Sequence, residues 1–523
     1  MPATATTRSG RPSRVAVPIE ELDLDRWMAT VLNRHAAVGF AIGVVRGGRP
    51  ATFATHGLAD IEAGTPVTRD TVFRVASITK TMTAIAVTQL WEDGLVDLDA
   101  PANDVLRAYR LIPARGSDKP ATVRHLLTHT AGIPELVRAT DLFKPDWGDS
   151  IALDAPMPAL AEHYAKGIQL HGEPGVTYTY SNHGFATLQQ IVEDVTGRRF
   201  DRYLRERVFE PLGMTDTDLL RTEALAARLA TGYAPGPRGP RPVTERTWVT
   251  PGASSVYSTT ADMARYLAAL VGGGSNEHGT ILRPDTLAMM FAPHFRGDPR
   301  VPGMGLGFDR LDGGGHLVIG HGGILPGFNS QLFAAPDDSA GLIAWTTGAH
   351  QAMLWLPTET GRLVNRLVDA PIEAIRTDVP HRPEAWPDLC GRYALSGRLT
   401  DIRARLMTGF GADVLVGGDK LVLRLLTPIP SLLRGLELHP DSETDPDVFR
   451  VDLSRFGLPT ARIVFSREPG VGATAMHLDI FPMSLRRRPE PARRPATWQL
   501  AALSAVLATG ATLVARRLRP PVR

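Results

Sequence analysis

At 523 residues, 43% hydrophobic and 21% charged, the chain is longer than the ~250 to 300 residues over which one core usually grows, so two folded units are expected. Its 57 Lys+Arg, nearly all Arg, are balanced by 55 Asp+Glu spread evenly, and a net charge of +2 leaves no local basic excess for a nucleic-acid partner. One cysteine, Cys390, excludes an internal disulfide and a thiolate metal cluster and fits a reducing compartment.

Residues 1–16 carry Arg8, Arg11 and Arg14 among Ser, Thr and Pro with no apolar stretch. They predict a disordered start without a secretory signal, and hence a cytoplasmic protein. The apolar runs 40–45 and 50–56, joined by Arg46-Gly47-Gly48-Arg49, read as a β-hairpin. Residues 77–94 read as a helix: Ile78, Met82 and Ile85 share one stripe, Ala84, Val87 and Trp91 a second, and Gly94 is the C-cap. Two apolar faces predict a buried helix. A second helix follows Tyr180-Ser181-Asn182, with Phe185, Leu188, Ile191, Val192 and Val195 on one face and Gly197 as its cap. Runs 317–320, 331–335 and 342–347 alternate with Gly-rich and Pro-Asp-Asp turns and read as adjacent antiparallel strands. Strands at both ends with helices between them predict an α+β domain over 17–377, its sheet closed by the domain's two ends.

Composition changes beyond that point. The prolines of DVPHRPEAWP mark 378–388 as a linker. Short strand-like runs at 391–395, 413–416, 420–426, 448–453 and 461–465 predict a small all-β barrel or sandwich over 389–485. RRRPEPARRP at 486–495 reads as a basic tether. The uncharged run 496–515 is just long enough, at ~1.5 Å per residue, to cross a ~30 Å hydrocarbon core. It reads either as a membrane anchor or as a C-terminal helix packed on protein.

Ser77-Ile78-Thr79-Lys80 is the first candidate for chemistry. Residues at this spacing share a helix face, so the Ser77 hydroxyl and the Lys80 amine can meet. A serine becomes a nucleophile when a neighbour takes its proton, which a lysine does if burial lowers its pKa. At a helix N-terminus, Ser77 would also have backbone N–H groups beside developing oxyanion charge. Tyr180-Ser181-Asn182 is the second candidate, because a phenol held by a lysine can act as base and then protonate the leaving group. On its own such a tyrosine is more often a packing residue. His321-Gly322-Gly323, leaving the 317–320 strand, is the third: glycines at a strand edge allow the close backbone approach that an oxyanion hole or a substrate-docking edge requires.

His125 and His129 stand at the i, i+4 spacing of a zinc helix, but Leu126 occupies the place of the glutamate. Helix-end hydrogen bonding is the preferred reading, and neither a metal nor another cofactor is expected. No G-x-S-x-G elbow surrounds any serine, which counts against an α/β-hydrolase.

In order, Ser77-x-x-Lys80, Tyr180-x-Asn182 and His321-x-Gly323 resemble the serine beta-lactamase and penicillin-binding-protein superfamily, in its class C-like branch of esterases and D-amino-acid peptidases. Thr71-Val72-Phe73-Arg74-Val75-Ala76, the 126–132 segment LLTHTAG, SVYSTTADMARY at 255–266 and Gly305-Leu306-Gly307-Phe308 support it, and the likeness covers roughly 17–347. The resemblance implies a beta-lactamase/transpeptidase-like antiparallel sheet flanked by helices. It implies Ser77 as the acyl-accepting nucleophile, Lys80 and Tyr180 sharing the acid/base work, and Asn182 orienting Lys80 and the substrate amide. The backbone N–H groups of Ser77 and Ile324 would form the oxyanion hole, and the substrate would be a small ester or amide. One departure stands out: the superfamily usually has Lys-Thr-Gly or Lys-Ser-Gly where this chain has His321-Gly322-Gly323. A histidine, only partly charged near neutral pH, should hold carboxylate-bearing antibiotics less well than neutral esters. A true beta-lactamase or D-Ala-D-Ala carboxypeptidase is the alternative, and an inactive binding scaffold a second. The C-terminal β unit resembles the lipocalin-like accessory domains appended to such hydrolases.

Overall fold

Alternation along Gly39–Arg46 builds two layers at once. Phe40, Ile42 and Val44 are buried in one core and Ala41 and Val45 in another, because successive side chains of a strand point to opposite faces. Helices Leu24–Arg34 and Ala352–Leu367 cover the first face, where Met28, Val31, Trp355 and Leu363 join the same core. Phe40, fully buried there, would cost about 3 to 5 kcal/mol if cut to alanine. Helix Thr260–Val271 lies close on the other face because small residues sit beneath it. A Cβ on Gly43 would stand 3.1 Å from Thr260 Cγ2, and one on Gly341 2.9 Å from Leu267 Cδ1.

This computed structural model describes residues 23–371, 373–395, 411–426, 435–456, 458, 460–480 and 482–488. The stretches 1–16 and 496–515 expected as a disordered start and an apolar helix lie outside them, as does 489–495 of the basic tether. Among the described residues no helix is long and apolar enough to cross a membrane.

The α+β arrangement expected from the sequence is present. Seven strands form an antiparallel sheet in the order Asp309–Gly313, His316–Leu325, Phe328–Ala335, Ala340–Thr347, Gly39–Arg46, Arg49–Asp60, Thr65–Pro66. Gly39 pairs with Thr347 and Arg46 with Ala340, so early and late parts of the chain meet in mid-sheet. The hairpin turns at Gly47 and Gly48, with φ of 59° and 72°, the consecutive positive values that a tight two-residue turn needs.

Two expected boundaries move. The helix expected from Ser77 begins at Thr79 and runs to Glu92, while Ala76–Ile78 is a 3-10 turn. Ala76 has φ 53°, a left-handed value that costs a non-glycine residue roughly 1 to 2 kcal/mol, and no α-helix continues through it. The helix is buried from Thr79 to Leu90. The strand expected to stop at Gly320 continues to Leu325, because the backbone of the third motif pairs with Phe328–Ala335, Gly322 opposite Gln331 and Gly323 opposite Ser330. His321-Gly322-Gly323 therefore lies in the sheet and not on a loop.

A second, nine-stranded antiparallel sheet spans Gly391–Leu395 to Ser484–Arg487. Its two edge strands, Leu436–Glu437 and His439–Pro440, are separated in the chain by Leu438 alone, so the sheet must curl until its edges meet, giving a near-barrel. Tyr393, Val414, Leu421, Ile463 and Phe465 fill it. Trp386, from the stretch expected as a linker, packs into the same core, and the last strand takes in Arg486 and Arg487 from the stretch expected as a tether. Arg300, on the segment before strand Asp309–Gly313, reaches the second unit, donating to Asp445 Oδ2 at 2.8 Å and to the Phe465 carbonyl at 2.7 Å.

Candidate active site

Strand Val72–Arg74 delivers the chain into the turn that carries Ser77. The third motif packs directly against that turn. A Cβ on Gly323 would overlap Ser330 Oγ and the Val75 carbonyl and stand 3.0 Å from Ala76 Cβ, and Ser330 Oγ donates to the same Val75 carbonyl at 2.9 Å. Only glycine permits this approach. Strand Asp309–Gly313 covers 316–320 alone, so among the described residues the far edge of 321–325 carries no strand. Ile324, 54% exposed, lies on that edge one residue beyond Gly323.

Lys80 lies in the first turn of Thr79–Glu92 and is fully buried. Its Nζ donates to Ser77 Oγ at 3.1 Å, Asn182 Oδ1 at 2.8 Å and the Ala253 carbonyl at 2.9 Å. Tyr180 Oη donates to Ser77 Oγ at 2.8 Å, and the Tyr180 ring centroid is 4.7 Å from Nζ. The Ala253 carbonyl is held in place by its neighbour Gly252, whose carbonyl accepts from Thr83 Oγ1 at 2.6 Å and whose N–H donates to Gln189 Oε1 at 2.8 Å. Asn182 is the first residue of helix Asn182–Thr196, and Ser181, expected with it on the entering loop, is the N-cap. The first two sequence motifs thus converge on one hydroxyl.

Two supports had no role at the site assigned from the sequence. Asp149, 2% exposed, accepts from Asn182 Nδ2 at 3.1 Å. It sits in a turn between irregular segments, where no periodicity points to it. His129, expected to make helix-end hydrogen bonds and not to bind a metal, grips Tyr180 from both sides: its carbonyl accepts from Thr179 N at 2.7 Å and its Nδ1 from Ser181 N at 3.1 Å. Its ring centroid is 4.4 Å from that of Tyr180. Accepting at Nδ1 requires the neutral ring, and burial, then the charge of Lys80, holds the His129 pKa well below the usual range. His125 instead closes a capping box with Thr122, its Nδ1 accepting from Thr122 N at 3.1 Å.

His321 is 4% exposed, and its Nδ1 donates to the Gly322 carbonyl at 2.6 Å. Burial, reinforced by Lys80, lowers its pKa to about 3. It is therefore neutral, where the sequence reading allowed a partial charge. Its ring centroid lies 6.4 Å from that of Tyr180.

The family model for Beta-lactamase matches residues 24–359, which take in the whole of the large sheet and the first half of helix Ala352–Leu367. The chain belongs to the Beta-lactamase family. Its relatives in that family include a D-aminopeptidase of Brucella anthropi, 27% identical over 61% of this chain and 58% of its own length. Esterase EstB of Burkholderia gladioli is 34% identical over 43% of this chain and 56% of its own. The match therefore spans less than two thirds of either relative. Among solved structures, the octameric penicillin-binding protein homologue from Pyrococcus abyssi superposes with TM-score 0.56 at 22% identity, over 89% of this chain and 100% of that one. That likeness establishes the beta-lactamase/transpeptidase fold.

Proposed function

We propose that the chain is a serine hydrolase that forms an acyl-enzyme on Ser77 and turns over small esters or amides, as an esterase or a D-amino-acid peptidase does. The observation that carries this reading is the position of Ser77 Oγ, within hydrogen-bond distance of both Lys80 Nζ and Tyr180 Oη. A neutral amine has two N–H groups and a lone pair. With Asn182 Oδ1 and the Ala253 carbonyl each taking an N–H, the lone pair of a neutral Lys80 faces Ser77 and can accept its proton.

Ser77 Oγ then attacks the acyl carbon while its proton passes to the Lys80–Tyr180 pair. Negative charge gathers on the former carbonyl oxygen, where the backbone N–H groups of Ser77 and Ile324 would receive it. The pair returns the proton to the leaving alkoxide or amine, and a water repeats the sequence on the acyl-enzyme. His321 bears on substrate choice. Neutral and buried, it offers no cation to a substrate carboxylate, which favours neutral esters and amides over carboxylate-bearing beta-lactams. An esterase and a D-aminopeptidase among the relatives support the same substrate class.

The test is labelling with a fluorophosphonate probe, with the modified residue read by mass spectrometry, followed by rates on p-nitrophenyl butyrate and nitrocefin. Label on Ser77, absent from Ser77→Ala, and faster turnover of the ester are expected. A chain that takes no label and hydrolyses no ester is an inactive scaffold. One that prefers nitrocefin is a true beta-lactamase.

A further inference from the structure

A cavity of about 650 Å³ is lined by Arg74, from the strand entering the Ser77 turn, and by Trp248, Phe328, Leu229 and Val243. None of Ser77, Lys80, Tyr180 and His321 lines it. Its volume suits a small molecule, and its walls combine apolar side chains with a few polar groups, the usual make-up of a ligand site.

Two of those residues each hold one donor atom without an acceptor, Arg74 Nε and Trp248 Nε1. Arg74 is 4% exposed; its Nη1 donates to the Arg246 carbonyl at 2.8 Å, its Nε has no acceptor, and among the described residues it forms no ion pair. The one aromatic face against it is Tyr257, 5.2 Å from the guanidinium carbon. Glu245, which also lines the cavity, is already engaged, accepting from Arg221 Nε at 3.0 Å and from Tyr257 Oη at 3.2 Å. Trp248, 6% exposed, has an indole N–H without an acceptor. Glu245 attracts Arg74 but is shared with Arg221, so one carboxylate serves two guanidiniums, and a buried N–H without an acceptor is likewise unfavourable. One missing ligand, an anionic oxygen on an apolar body, answers both.

We propose that this cavity binds a small carboxylate carried on an aryl or alkyl body, with the Arg74 guanidinium as its counter-ion and the Trp248 indole N–H as a second donor. The site is independent of the hydrolytic chemistry assigned to Ser77. Two of its lining residues stand on strands that lead to that site. Arg74 leads into the Ser77 turn, and strand Arg246–Trp248 pairs with Ser150–Ala152, next to Asp149.

Titration calorimetry of the full chain at low ionic strength tests this with 3-phenylpropionate. The neutral 3-phenylpropan-1-ol and inorganic phosphate serve as matched probes lacking the charge and the apolar body. The carboxylate should bind at least about tenfold more tightly than either, and Arg74→Gln should lower its affinity by about tenfold or more. A buried arginine can be needed for folding, so Trp248→Phe, which keeps an aromatic ring and removes the N–H, is the second variant and should weaken binding about threefold or more. No binding at millimolar carboxylate, equal binding of the alcohol or of phosphate, or unchanged affinity in both variants overturns the proposal.

Discussion

The Asn182 amide donates through Nδ2 to the buried Asp149 carboxylate at 3.1 Å, and this bond decides which way the amide faces. A carboxylate can only accept, so the amide nitrogen must turn to it and the oxygen Oδ1 is left to take the Lys80 ammonium or amine proton at 2.8 Å. In Asp149→Asn the constraint is lost and the Asn182 amide can flip. We predict a fall in kcat of about 10- to 100-fold with KM nearly unchanged, the scale on which small misplacements act. Steady-state kinetics on a neutral ester checks it, and an unaltered kcat removes Asp149 from the positioning of Lys80.

Ser77→Ala should lower kcat by about 10³ or more while leaving the melting temperature close to wild type, since it deletes one partly exposed oxygen. Lys80→Ala and Tyr180→Phe should each lower kcat by about 10² to 10⁴. Because both meet the same Oγ, the double variant should be little worse than the worse single one. Full additivity of the two losses would mean that they act at separate steps.

His129→Phe keeps a ring beside Tyr180 but removes the acceptor for Ser181 N. A buried N–H left without a partner costs about 1 to 3 kcal/mol, so the melting temperature should fall. With Tyr180 no longer held on one side, kcat should fall by about tenfold with little change in KM. Unfolding scans and ester kinetics on the same preparation separate the two effects.

Acid should destabilise the protein through its buried histidines. Burial lowers the pKa of His321 to about 3 and that of His477 to about 4, against an unfolded value near 6.5. Above the unfolded value both states are neutral and nothing changes. As pH falls below it the unfolded chain takes up protons that the folded chain refuses, so stability is lost until the folded values are reached. The loss is about 1.4 kcal/mol per pH unit for each histidine, roughly 2 kcal/mol each by about pH 5. Melting temperatures measured from about pH 7 to 5 should fall, and His477→Gln should flatten the slope. An unchanged slope in that variant would show that His477 is protonated in the folded state.

Local pattern was enough for these elements and for the nearness of Ser77 to Lys80. The two apolar stripes of 77–94, the Gly47-Gly48 turn and the run 342–347 beyond its Pro-Asp-Asp turn are properties of neighbouring residues, and the structure has a buried helix, a hairpin and a strand there. Ser77 and Lys80 are likewise legible because one turn of chain brings them together. What the sequence by itself could not determine is the company those residues keep. Ala76 takes a left-handed conformation at the place where Gly323, far along the chain, packs against it, and the helix starts at Thr79 and not at Ser77. Asp149, His129 and the Ala253 carbonyl reach the site from three unrelated segments, and the charge of His321 depends on burial among groups that no spacing connects. Local sequence sets backbone preference and side-chain chemistry. Desolvation, amide orientation and proton affinity depend on which distant atoms are near, and only the packed chain decides that.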